Sequence, residues 1–206
     1  MEMTGSERIA APRERVYEAL NDPEVLKAAI PGCESIEKTS DSEMTATVVT
    51  KVGPVKAKFQ GAVTLSDFDP PKGYSIRGEG KGGAAGFAKG GAKVRLEEDG
   101  PDGQATVLHY EVKADVGGKL AQLGSRLIDS TAKKLAGEFF TRFGEIVAGQ
   151  AADVGARAEA AVPPSAAETP GAAMRGQAAR AGGGRLWLWG LAGLVVLLAV
   201  VILLAR

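Results

Sequence analysis

The sequence predicts an α+β fold: a strongly curved, seven-stranded antiparallel sheet around one long C-terminal helix, followed by a transmembrane helix. Three observations carry this expectation. From Ser35 to Val116, apolar and polar residues alternate, the signature of strands with one covered and one wet face. Lys119–Val147 is a long, proline-free helical pattern with apolar residues three or four apart. Leu186–Ala205 is an uncharged apolar run.

Taken in order, residues 1–10 form a first strand with Met3 and Ile9 as its larger apolar side chains. Pro12 suits the first turn of a helix whose apolar face is Val16, Ala19 and Leu20. Asp22 then caps a second short helix with Pro23 at its first position, and Pro31-Gly32 stops it. Strands are expected near 35–40, 43–52, 55–68, 74–81, 90–98 and 104–116, separated by turn signals such as Gly53-Pro54 and Asp99-Gly100-Pro101-Asp102-Gly103. A helix with an apolar stripe and a sheet with one dry face cover each other.

The predicted helix divides in two. Leu135, Phe139 and Phe143, with Phe140 beside them, fill a core. Leu120, Leu123 and Leu127 face another way, near the small residues Gly124, Thr131 and Ala132. The sheet's inner face is also small there, with Ala46, Ala57, Gly61, Gly78, Gly80, Gly90, Ala92 and Ala114. Two explanations stand side by side: glycines that let strands bend, or an apolar ligand cavity. On the cavity reading its lining is Ile30, Phe59, Val63, Ile76, Phe87, Tyr110, Leu120, Leu123, Leu127 and Thr131. Tyr110 and Tyr74 offer a phenol donor at the end of an apolar body. The glycine-rich stretch Gly78–Gly91 lacks the spacing of a phosphate loop and no helix follows it. It reads as a lid or a bent strand pair exposing Phe87.

Residues 151–185 are rich in Ala, Gly and Pro and read as a flexible linker. The run 186–205 is ~30 Å long as a helix, the thickness of a bilayer core. Arg175, Arg180 and Arg185 precede it and only Arg206 follows, which keeps the domain cytoplasmic. Trp187 and Trp189 sit where an interfacial aromatic anchor belongs. The expected location is the inner (cytoplasmic) membrane, single-pass.

The totals exclude several classes. In 206 residues the formal net charge is zero, which argues against nucleic acid. One cysteine and one histidine leave no intramolecular disulfide and no multi-cysteine or His-pair metal motif. His109 falls on the polar face, and Cys33 reads as a buried, inert thiol. Asp129 and Glu138 read as solvent-facing helix charges. Lys119, Arg126, Lys133 and Lys134 form a modest basic face, read as solvated. No convincing acid or base faces the interior, so the expectation is a protein that is not an enzyme.

The order strand–helix–helix–strands–long helix resembles the START-like, Bet v 1-type (SRPBCC) ligand-binding superfamily. Within it, AAPRERVYEALNDPEVLKAAIPGCESIE, GEGKGGAAGFAKGGAKVRLEED and VGGKLAQLGSRLIDSTAKKLAGEFFTRF resemble the G-subunit family of carbon monoxide dehydrogenase over roughly residues 1–148. The resemblance implies a helix-grip fold in a START-like domain, 1–150. It also implies that the partner is a molybdenum hydroxylase of the carbon monoxide dehydrogenase type, recruited to the lipid bilayer. The implied cargo is a respiratory quinone, menaquinone or ubiquinone, with no covalently bound cofactor. Three roles follow: a tethered quinone carrier or adaptor, a purely structural anchor or assembly factor, or a START-like cyclase or hydrolase.

Overall fold

The computed structural model describes residues 1–160, with side chains through Gln150. Of the predicted linker 151–185, the first ten residues are helical instead, and the rest, with the predicted transmembrane helix 186–205 and its Trp187 and Trp189, lies outside the described residues. Among the described residues, no helix is long and apolar enough to cross a membrane.

The chain runs β1 (Glu2–Ile9), α1 (Arg13–Ala19), α2 (Pro23–Ala29), β2 (Cys33–Lys38), β3 (Glu43–Val52), β4 (Val55–Asp69), β5 (Gly73–Lys81), β6 (Phe87–Asp99), β7 (Ala105–Gly117) and α3 (Ser125–Ala160). The strands form one antiparallel sheet in the order β1-β7-β6-β5-β4-β3-β2. β1 and β2 are therefore opposite edges, and α1 and α2 carry the chain from one edge to the other. Short local signals place these helices. The Asp22 carboxylate accepts the Glu24 backbone N–H at 2.9 Å, with Pro23 in the first turn. The buried Thr106 hydroxyl donates to the Ala11 carbonyl at 2.7 Å and fixes the start of α1 against β7.

Alternation places the core as the sequence predicts. Met44, Ala46 and Val48 on β3, Phe59, Val63 and Leu65 on β4, and Val112, Ala114 and Val116 on β7 are buried. α3 covers this face and makes close backbone approaches to α2, α1, β1 and β3.

The long helix differs from its prediction at both ends. It begins at Ser125, not Lys119. Leu120 precedes a separate 3-10 turn at Ala121–Leu123, and Gly124 breaks the path with φ of 82°. That left-handed conformation suits glycine, so the break is written in one residue. The consequence is a correction to the predicted stripe. Leu120 is buried, Leu123 half-buried and Leu127 exposed, while Ile128 takes the inward position. At the far end α3 continues to Ala160, where an alanine-rich sequence favours helix.

The β3–β4 hairpin carries a local conflict. Lys51 and Lys56 are directly opposite each other and both are exposed. Like charges in that position destabilise a sheet. Lys51→Glu should therefore raise stability by about 0.2–1 kcal/mol, read as a higher urea midpoint with an unchanged slope.

Candidate functional site

The register divides the interior by side-chain size. One row across the sheet is Ala46, Gly61, Gly80, Ala88 and Val116. The next is Met44, Val63, Gly78, Gly90 and Ala114. Farther along the same strands, Leu65, Ile76, Ala92 and Val112 align, then Tyr74, Val94 and Tyr110. α3 follows the same gradient. Its first buried residues are Ile128 and Ala132, and its later ones are Phe139, Phe140, Phe143 and Val147. The bulky end is an aromatic cluster. Phe139 stacks on Phe143 with centroids 5.4 Å apart and meets Phe140 edge-on at 5.1 Å. Phe140 also stacks on Tyr110 at 5.4 Å.

At the small end, the β5–β6 and β3–β4 connections meet the start of α3. The Leu120 N–H donates to the Ala85 carbonyl at 3.0 Å, joining the β5–β6 tip to the segment before α3. The Phe59 ring lies where a side chain at Gly82 would be. Leu127 lies over the β3–β4 turn, within 2.7 Å of where a Gly53 Cβ would stand. Beside it, a groove of about 390 Å3 runs between the end of β3 and α3, bounded by Pro31, Thr50, Lys51, Thr131 and Leu135 among others.

The predicted lining residues divide accordingly. Ile30, Phe59, Val63, Ile76 and Leu120 are buried in the common core. Phe59 and Val63 belong to the small end, and Ile76 lies one row beyond Val63. Tyr110 is half-buried under Phe140 toward the bulky end, away from Leu120. Thr131 lines the groove, and its hydroxyl is used on the Leu127 carbonyl at 2.8 Å. Phe87 is exposed, and its ring crosses Gly117 on the sheet's outer side. Leu123 and Leu127 belong to the rim.

The bend explanation holds for particular glycines. A Cβ at Gly90 would collide with the Lys113 carbonyl oxygen, and one at Gly91 would stand 2.8 Å from that of Ile76. Backbone approaches of that kind admit only glycine. Ala46, Ala88, Ala114 and Ala132 are buried beside them and keep this end of the interior small.

Sequence reasoning misses two polar groups on the α1 side. The Tyr17 hydroxyl and the Asn21 Oδ1 are buried without hydrogen-bond partners, although Asn21 Nδ2 donates to the Tyr17 carbonyl. Tyr17 also meets Tyr74 edge-on at 5.9 Å. Burial, then the Asp69 charge, pushes the Tyr17 phenol up to about 12. Burial likewise pushes the Cys33 thiol up to about 11, against the pull of Lys27. Cys33 is half-buried and points at the Ser35 carbonyl, 3.6 Å away, so it is protonated and slow to react at neutral pH.

Both shifts make the protein labile to alkali. The unfolded chain gives up its thiol proton near 9 and its phenol proton near 10, while the folded chain holds them to about 11 and 12. Their stabilisation is complete below pH 9 and is lost between pH 9 and 12. Melting temperature should fall across that window. Cys33→Ala should flatten the fall from pH 9 to 11. Tyr17→Phe should flatten it from 10 to 12 and, by removing an unpartnered hydroxyl, add about 1–3 kcal/mol at neutral pH.

A second groove, about 930 Å3, opens on the outer face beside Arg13, Asp69, Lys93 and Glu111. It is lined by many charged groups, some of them paired, with Arg13–Glu98 at 2.8 Å, Arg95–Glu97 at 3.0 Å and His109 3.3 Å from Glu97. It does not suit an apolar ligand. Among the described residues, no cluster of His, Cys, Asp and Glu is placed to hold a metal ion.

A curved antiparallel sheet gripping a C-terminal helix over an apolar interior defines the START-like class of ligand-binding folds. A family model for the G subunit of carbon monoxide dehydrogenase (CoxG) matches residues 5–148, and the chain belongs to that family. A conserved protein from Geobacillus kaustophilus is similar at 30% identity, over 72% of this chain and 96% of that one, with a TM-score of 0.68. The Zhui aromatase/cyclase from Streptomyces sp. R1128 is 15% identical over 71% of this chain and 93% of its own, with a TM-score of 0.50, which shows the fold alone. A START superfamily protein from Mycobacterium smegmatis is a more distant likeness, 16% identical over 74% and 98% with a TM-score of 0.48. No functionally curated protein matches the chain.

Proposed function

We propose that this chain is a membrane-tethered, non-enzymatic carrier or adaptor for a molybdenum hydroxylase of the carbon monoxide dehydrogenase type. On this reading it holds a menaquinone- or ubiquinone-like molecule inside the grip and links the enzyme to the respiratory chain. The single observation that carries the binding role is the interior's taper to alanine and glycine beside the groove at Pro31 and Thr131. An isoprenoid quinone suits that chemistry. The interior is apolar, and the buried polar side chains Asn21, Thr50 and Thr106 are not titratable. Among the described residues no carboxylate, imidazole or ammonium is buried that could exchange protons with a ligand at neutral pH. The family description supplies the partner, and the run 186–205 supplies the tether.

A second reading, a purely structural anchor or assembly factor, draws on the glycines that are pinched by neighbouring backbone. Electron transfer separates the two. Membranes containing the hydroxylase and the full chain should reduce quinone when substrate is added. Deleting 186–206 should release the enzyme from the membrane. If an interior-filling variant that keeps the complex assembled transfers electrons at the full rate, the carrier role is wrong and the anchor stands.

A further inference from the structure

The two ends of the sheet are finished differently. β2 is short, shifts register between Cys33 and Ser35, and ends on Lys38, all devices that blunt a strand edge. β1 carries none of them. It pairs with β7 residue for residue from Glu2 to Ile9 without a bulge, and its sequence EMTGSERI holds neither lysine nor proline. The Ala114 N–H donates to the Met1 carbonyl at 3.0 Å, so the odd-numbered residues of β1 turn their backbone groups to β7. Glu2, Thr4, Ser6 and Arg8 turn theirs to the free side, where no strand follows among the described residues. Those four residues are exposed, and Gly5 and Glu7 between them are half-buried. An open ladder of this length is a template for another strand.

We infer that β1 pairs, antiparallel, with β1 of a second copy of this chain about a two-fold axis at Gly5. The strand's own sequence argues for this occupant. In that register Glu2 faces Arg8 of the other copy, Thr4 faces Ser6, and Gly5 faces Gly5. Symmetry repeats each unlike pair on the far side of the axis. Glu2–Arg8 and Thr4–Ser6 are also the pairs whose backbone groups are free, so each exchanges two hydrogen bonds. The charges continue into both sheets. Glu2 pairs with Lys113 at 3.0 Å and Arg8 pairs with Asp99 of its own chain, all at exposed positions. Pairing the edges therefore makes an alternating row of Lys113, Glu2, Arg8 and Asp99 across the boundary. At the axis the strands approach closely, and a glycine on each side leaves room beside the Tyr110 hydroxyl, which stands where a Gly5 Cβ would be. A register centred on Ser6 has the same backbone parity, but it sets Arg8 against Thr4 and leaves Glu2 outside the pairing. This interface goes beyond the carrier reading and does not depend on it.

Disulfide trapping of the full chain in detergent micelles tests the register. In a Cys33→Ser background, chains carrying Thr4→Cys are mixed with differently tagged chains carrying Ser6→Cys and oxidised. Facing residues of a hydrogen-bonded pair lie about 5.5 Å apart at Cα, within disulfide reach. Two copies of position 4, or two of position 6, stand roughly 9 Å apart and cannot be bridged. The mixture should therefore cross-link, always between unlike tags, and neither variant should cross-link alone. Sedimentation of the uncross-linked chain tests the charges. Arg8→Glu sets like charges opposite each other at both ends of the interface and should raise the dimer dissociation constant roughly ten-fold. Adding Glu2→Arg, which exchanges the two charges, should restore it. Both positions are exposed, so melting temperature should hardly move. A mixture that does not cross-link overturns the inference, and so does Ser6→Cys cross-linking to itself. A chain that stays monomeric overturns it as well. A dimer indifferent to Arg8→Glu would place the contact elsewhere, for instance in 186–205. Protection of β1 amides from hydrogen exchange only when the hydroxylase is added would assign the edge to that protein instead.

Discussion

Phe139→Ala should destabilise the protein by about 3–5 kcal/mol, the range for truncating a buried aromatic ring. Phe139 is fully buried and lies at the centre of the aromatic cluster, stacked on Phe143 and edge-on to Phe140. Removing it deletes two ring contacts and opens a void that the helix cannot close, because α1, β1 and the sheet hold it on several sides. A typical domain has only about 5–15 kcal/mol in hand, so a sizeable unfolded fraction is expected on warming. Equilibrium urea unfolding measures this. A loss below about 1 kcal/mol would mean that the bulky end is not the stability core.

Ala132→Leu probes the other half of the same helix and should behave in the opposite way. Ala132 is fully buried and faces the interior one turn beyond Ile128. Leucine is a strong helix former, so the backbone tolerates the change. In a filled core the three added carbons would overpack and cost about 1–3 kcal/mol. In a grip that opens to receive a ligand, stability should change by less than about 1 kcal/mol. Quinone affinity should instead fall about fifty-fold, since each displaced methylene contact carries ~0.8 kcal/mol. Thermal unfolding together with quinone titration of the variant distinguishes the two. Large destabilisation with unchanged binding would place the ligand elsewhere.

Much of the fold is legible in the sequence because period-2 alternation survives folding intact. Spacing alone assigns Phe59, Val63 and Ile76 to the interior, and the register puts them there. The start of α3 misleads for an equally physical reason. Leu120, Leu123 and Leu127 stand three and four apart, as on a helix, but Gly124 turns the chain between them. The signal is a lone glycine inside a helical pattern. The pinched glycines are out of reach of sequence. Whether Gly90 meets a carbonyl oxygen depends on which residue of β7 lies opposite, and alternation carries no register. Tyr17 and Asn21 escape notice because α1 is short and its aliphatic face dominates the pattern. Lys51 and Lys56 become informative only once the hairpin places them opposite each other.

The central claim is that the grip carries an isoprenoid quinone. The most direct measurement is the lipid content of the full-length protein purified from its own membranes, by solvent extraction and mass spectrometry. The account predicts menaquinone or ubiquinone at close to one molecule per chain, reduced in the Ala132→Leu variant. A protein that emerges empty and takes up no added quinone would contradict it.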